Sequence, residues 1–252
     1  MSSTTVRAQV NRVVAMVALC VVLPVVASVE KLRPGQGRVT AQRAVRLVAR
    51  WVGVTFQVSE RPDGPHPQPA IYVPNHSSPM DIPALLTASP DIRFLAAADL
   101  FRIPLLASAM RALGTIPIDR RNSEVAHHQL DALIADADHS SDLAIFAEGG
   151  IAPFHERLPF KTGAFALALQ TGTPIVPVAI HRSADVLPPR AFLAIRPGTV
   201  TVELLDAVPT VGLSLEDRGA LRDAVEASIG AALARGPLPT PDPGPSGAPE
   251  GG

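Results

Sequence analysis

The chain has 252 residues, with 22 lysines and arginines against 23 aspartates and glutamates and a formal net charge of -1. That balance excludes a strongly basic surface for nucleic acid. The single cysteine, Cys20, excludes an internal disulfide framework and a thiolate metal cage.

The mean hydropathy of +0.24 is high for a freely soluble protein, and the apolar excess gathers at the N-terminus. Val13 to Val29 is an uncharged apolar run preceded by Arg7 and Arg12 and interrupted by Pro24. It falls slightly short of the roughly 20 residues that cross a hydrocarbon core. It reads as a membrane anchor or a kinked helix dipping into one leaflet. A secretory signal ending near "VVAS" and a buried core helix are the alternatives. In the next segment Val45, Val48, Val52 and Trp51 share one side at helical spacing, with Arg43, Arg46 and Arg50 mostly on another. That pattern suits a lipid headgroup surface, and equally a surface helix docked on a core. The expected organisation is a membrane-associating segment over residues 1–38, a folded domain over 39–235, and a disordered Pro/Gly-rich tail over 236–252.

From residue 54 short apolar runs alternate with helical patterns. The predicted strands are 54–58, 70–74, 92–96, 115–119, 142–146, 174–180, 191–195 and 199–205. The predicted helices are 81–88, 103–113, 123–137, 161–171 and 215–234, the last opened by the capping box "SLED". This alternation predicts an α/β fold, with a mixed, largely parallel sheet covered by helices.

Ligands of open α/β sheets bind where strands end, and three segments put polar residues there. In "YVPNHSSPMD" Asn75 and His76 follow a strand, and Asp81 opens the next helix within reach of His76. A carboxylate on one ring nitrogen fixes the tautomer and leaves the other nitrogen to take a proton. Ser77 or Ser78 can cap that helix. The same residues would also make an ordinary capped helix start, with Asp81 answering the helix dipole. In "GTIPIDRRNS" a strand ends at Asp119, and Arg120 and Arg121 precede a helix, an arrangement that can hold a phosphate or form a solvated charge cluster. In "AIFAEGGIAPFHERLPFKTGAF" a strand runs into Glu148-Gly149-Gly150, and Lys161 opens the following helix. Glycines there allow close approach to an anion, and a Gly turn with a surface glutamate is the plainer alternative. No metal-ligand spacing, serine-hydrolase elbow, Walker loop or dinucleotide fingerprint is present.

These segments, in this order, resemble the glycerolipid acyltransferase family of the 1-acyl-glycerol-3-phosphate acyltransferase (PlsC-like) type. "NHSSPMD" is similar to its Asn-His-(four residues)-Asp block, "GTIPIDR" to its second block, "FAEGG" to the third and "TPIVPVAI" to the fourth. The resemblance implies that His76 is the general base and Asp81 its positioning carboxylate. It implies that Arg120 and the Glu148-Gly149 turn form part of the acceptor site, and Asn75 and Lys161 are further candidates for holding the acceptor and its phosphate. It further implies an acyl-CoA or acyl-carrier-protein co-substrate, a membrane-lipid partner, no cofactor or metal, and a membrane-associated site facing the cytoplasm. One departure stands out. Ile151 occupies the place of the family's usual arginine, and loss of a charged hydrogen bond to phosphate removes about 1.5–3 kcal/mol.

Overall fold

The computed structural model describes residues 3–60, 66–89, 91–119, 142–151, 153, 156–189, 191 and 194–238. Arg120, Arg121, the helix expected over 123–137 and most of the C-terminal tail lie outside them.

Helices α1 (Ser3–Leu32) and α2 (Gln36–Val52) come first, and α2 stops at Gly53, whose φ of 75° turns the chain into strand β1 (Val54–Glu60). There follow β2 (Ile71–Pro74), α3 (Asp81–Ala88), β3 (Arg93–Ala97), α4 (Pro104–Ala112), β4 (Ile116–Ile118) and β5 (Leu143–Ala144). The chain continues through α5 (Gly163–Thr171), β6 (Ile175–His181), the short α6 (Ser183–Val186), β7 (Gly198–Leu204) and α7 (Arg218–Arg235). Among the described residues the strands form a seven-stranded sheet in the order β1-β7-β6-β2-β5-β3-β4. All neighbours are parallel except β6 and β7, so β1 and β7 run against the other strands.

Strand periodicity decides which helices cover which face. Tyr72, Phe94, Val176, Val178 and Ile180 point to the side of α2 and α3. Ile71, Val73, Leu95, Ile175 and Ala179 point to the side of α5 and α7. With both faces covered, the inner strands read as continuous apolar runs, and every residue of β6 is buried.

Among the described residues of 191–195 the expected strand is not seen. Ala191, Ala194 and Ile195 lie in no ladder; instead Ala191 N–H bonds Pro188 O, Ala194 N–H bonds Ala191 O, and Arg196 N–H bonds Val186 O. Local turns satisfy the backbone, and the apolar character serves to bury Ile195. A 3-10 turn at Ala98–Arg102 and the helix α6 are too short to leave a periodic signature. The capping box forms as expected, Ser214 N–H donating to Asp217 Oδ2 at 2.7 Å.

At the N-terminus, α1 packs against α2 and α4. Val26, Ala41 and Ala112 make a small core there. Asn11, buried, donates to Val52 O at 3.2 Å and Ile195 O at 3.0 Å. Among the described residues no helix is long and apolar enough to cross a membrane.

Candidate active site

Strands β5, β2 and β6 are parallel neighbours, so their C-terminal ends open at the same edge. Asn75, the first residue past β2, is buried. Its Nδ2 donates to Ile180 O at 3.1 Å and its Oδ1 accepts Ile180 N–H at 2.7 Å. The side chain thus continues the ladder to β6 after the backbone has left it. The amide is committed to this clasp.

Asp81, the first residue of α3, is fully buried. Its Oδ2 accepts the N–H groups of Ser77 and Ser78, each at 2.9 Å, and lies 2.9 Å from His76 Nδ1. With a carboxylate as partner, Nδ1 carries the proton and Nε2 keeps its lone pair. Among the described residues nothing hydrogen-bonds Nε2, and the imidazole retains 12% exposure. The ring stacks on Phe146 with centroids 3.9 Å apart and an angle of 25° between planes. A carboxylate at one edge and Phe146 against one face hold the ring, and its second nitrogen has no partner among the described residues.

Neither serine caps α3 in the expected way. The residue before the helix is Met80, without a side-chain cap. Ser78 Oγ accepts Met80 N–H at 3.0 Å and donates to Leu187 O at 2.7 Å, and Ser77 Oγ lies 3.0 Å from Ser183 Oγ. Asp81 reaches backward to both serine N–H groups, and the two hydroxyls tie the loop to the chain around α6 while Ser78 also holds the turn just ahead of α3.

Glu148, also buried, accepts His76 N–H on Oε1 at 2.9 Å and Leu158 N–H on Oε2 at 3.1 Å. Burial raises its carboxyl above the usual range, against the opposing pull of those two backbone bonds. Glu148 thus joins the His76 loop to the loop before α5. Gly149 follows with φ of 74°, and a Cβ there would stand 2.8 Å from Lys161 Nζ. The Lys161 side chain is therefore draped over Gly149, and the Lys161 backbone N–H donates to Ala147 O at 2.9 Å. His76, Asp81, Asn75, Glu148, Gly149 and Lys161 come together; Arg120 lies outside the described residues. Ile151, beyond the glycines, is exposed.

Sequence reading missed a second histidine–carboxylate pair. His181, at the end of β6, places Nε2 3.0 Å from Glu203 Oε2 on β7, and Arg235 Nη2 donates to Glu203 Oε1 at 2.7 Å. Burial lowers the His181 pKa below its ordinary value, opposed by the bond to Glu203. A polar residue in each of two otherwise apolar runs, "VAIH" and "TVEL", was the available signal. Among the described residues no group of three or more His, Cys, Asp or Glu side chains could hold a metal ion.

Residues 55–181 match the family model described as Acyltransferase. The chain belongs to the acyltransferase family. The human 1-acyl-sn-glycerol-3-phosphate acyltransferase beta is 30% identical over 217 residues, covering 82% of this chain and 76% of that protein. A chloroplastic 1-acyl-sn-glycerol-3-phosphate acyltransferase of Brassica napus is 30% identical over 120 residues, 48% of this chain, which spans only 35% of that relative's length. The fold matches the crystal structure of the 1-acyl-sn-glycerophosphate (LPA) acyltransferase PlsC from Thermotoga maritima, with a TM-score of 0.71 at 22% identity over 91% of this chain and 97% of that one. The matched region of this family member contains β1 to β6, and with them both the His76–Asp81 pair and the Glu148 turn.

Proposed function

We propose that the protein moves a fatty acyl group from an acyl thioester, acyl-CoA or acyl-carrier protein, to a hydroxyl of a lysophospholipid such as 1-acyl-glycerol-3-phosphate. The observation that carries this reading is the His76 imidazole, oriented through Nδ1 by a buried carboxylate with Nε2 left open. The acceptor hydroxyl gives its proton to Nε2 as its oxygen bonds the thioester carbon. The C–S bond then breaks, and the imidazolium proton passes to the departing thiolate. Asp81 stabilises the imidazolium while it lasts. No acyl-enzyme intermediate and no metal enters this scheme. Lys161, over the Gly149 turn, and Arg120 hold the acceptor's phosphate. Asn75 and Glu148 fix the loop that carries His76.

The site works at a membrane surface, on the cytoplasmic side, with α1 and α2 against the lipid. Trp51 and Leu47 are exposed on α2, and Arg43, Arg46 and Arg50 lie on the same helix, which supports an interfacial position. Ile151, in the place of the family's usual arginine, favours a second acceptor class: another lysolipid, an aminoacyl lipid or a glycolipid.

The test is transfer from radiolabelled acyl-CoA or acyl-carrier protein to a panel of these acceptors, with the full chain and with His76→Ala. A positioned base contributes about 10²–10⁴-fold, so the variant is expected to lose that factor while its circular dichroism is unchanged. Full activity in His76→Ala would remove the base from the mechanism. No product with any acceptor, from folded protein, would make the chain a non-catalytic lipid-binding member of its family.

A further inference from the structure

A groove of about 420 Å³ lies between α1 and α4, and no residue of the His76 site lines it. Each helix contributes a hydroxyl and a cation three residues apart: Ser28 and Lys31 from α1, Ser108 and Arg111 from α4. That spacing brings each pair onto one helix face. The Arg111 guanidinium rests over the Phe101 ring, 5.5 Å from its centroid. Neither cation forms an ion pair among the described residues. Glu30 also lines the groove, but its two oxygens accept the N–H groups of Gly35 and Gly37 at 2.9 and 2.8 Å. The carboxylate is thus held to the turn after α1.

Ser108 Oγ gives its proton to Pro104 O at 3.0 Å, which leaves two cations and the Ser28 hydroxyl, a set that suits a phosphate monoester better than a singly charged diester. The surroundings point to its source. Val21, Val25 and Leu32 are exposed, and Ser28 falls between them at the same helical spacing. Ile103, just ahead of α4, is exposed as well. A free phosphate has no use for an apolar stripe running through its site, whereas a lipid would lay its acyl chains along it.

We propose that this groove binds the phosphate monoester headgroup of an anionic phospholipid. The site is independent of the chemistry at His76, so the proposal stands or falls apart from the reading of that residue.

The experiment is co-sedimentation of the full chain with phosphatidylcholine vesicles doped with phosphatidic acid or, at matched surface potential, phosphatidylglycerol. The expected result is tighter binding to phosphatidic acid at equal surface charge. Lys31→Ala with Arg111→Ala should erase that preference, with binding about tenfold weaker or more, since each basic residue at an anionic surface contributes several-fold. Ser28→Leu keeps both charges and fills the groove, and should erase the preference while retaining general vesicle binding. Arg218→Ala with Arg222→Ala, on α7, should leave it intact, and thermal unfolding confirms that each variant is folded. Equal binding to the two lipids at matched potential would overturn the proposal. So would an equal loss in the α7 variant, which would mean diffuse attraction. Competition by inorganic phosphate as strong as that by dispersed phosphatidic acid would reassign the groove to free phosphate and overturn the lipid.

Discussion

Among the described residues two histidine–carboxylate pairs stand in different settings. At His76 the carboxylate of Asp81 takes Nδ1 and two backbone N–H groups, and Nε2 remains open beside the ends of three parallel strands. At His181 the bonded nitrogen is Nε2, and Arg235 takes the other oxygen of Glu203. The first pair stands at the strand-end edge with 12% of the His76 side chain exposed, and the second lies between β6, β7 and α7 with 4% of His181 exposed. The chemical groups are nearly the same, so composition does not distinguish a base from a brace. What distinguishes them is which nitrogen the carboxylate holds and how much of the ring reaches solvent.

The comparison can be broken most directly at Asp81. Asp81→Ala strands two backbone N–H groups and frees the His76 ring to turn. Transfer is expected to fall by about 10²–10⁴-fold, as for loss of the base itself, measured as kcat at saturating acceptor. If His181→Gln lowered kcat as much, the two pairs would form one machine and the contrast would fail. The expected outcome for His181→Gln is activity within a few-fold of the native chain.

A smaller effect is expected from Glu203→Gln. It removes a charged partner from Arg235, which stays partly in water with 41% side-chain exposure. A charge-assisted hydrogen bond is worth about 1.5–3 kcal/mol, and the exposed arginine places the loss toward the lower end. Denaturant unfolding should show it as a shifted midpoint at unchanged slope.

The smallest effect concerns pH. Because burial holds His181 below its ordinary pKa, the unfolded chain takes up that proton first on acidification. The stability tied to the neutral ring is therefore present above about pH 6.5 and lost as pH falls toward the lowered value. Glu148 has the opposite sign: its raised carboxyl favours the folded state as pH falls through its own range toward the ordinary 4.5. The melting temperature should decline as pH drops below the ordinary histidine range, and His181→Gln should flatten that limb. An unchanged limb would show that other groups carry it.

The His76–Asp81 geometry was legible because both residues belong to one loop at a strand end, five positions apart. The contacts that hold the loop in place were not. Asn75 meets Ile180 across 105 residues, Ser77 meets Ser183 across 106, and Glu148 meets His76 across 72. Nothing local announces those partners. The parallel core could be read from apolar runs alternating with helical segments, whereas the reversed direction of β7 has no signature in its own residues. The run at 191–195 misled because apolar character reports burial, not pairing.

The buried amide of Asn11 has a practical consequence. It bridges carbonyls 41 and 184 positions along the chain, and the helix that carries it packs its Val26 with Ala41 and Ala112. Trimming the chain ahead of Gly35 to obtain a better-behaved protein would thus take away a piece of the scaffold. A shortened version that precipitates would then say little about its affinity for lipid, and detachment studies should start from single replacements on the outer side of that helix.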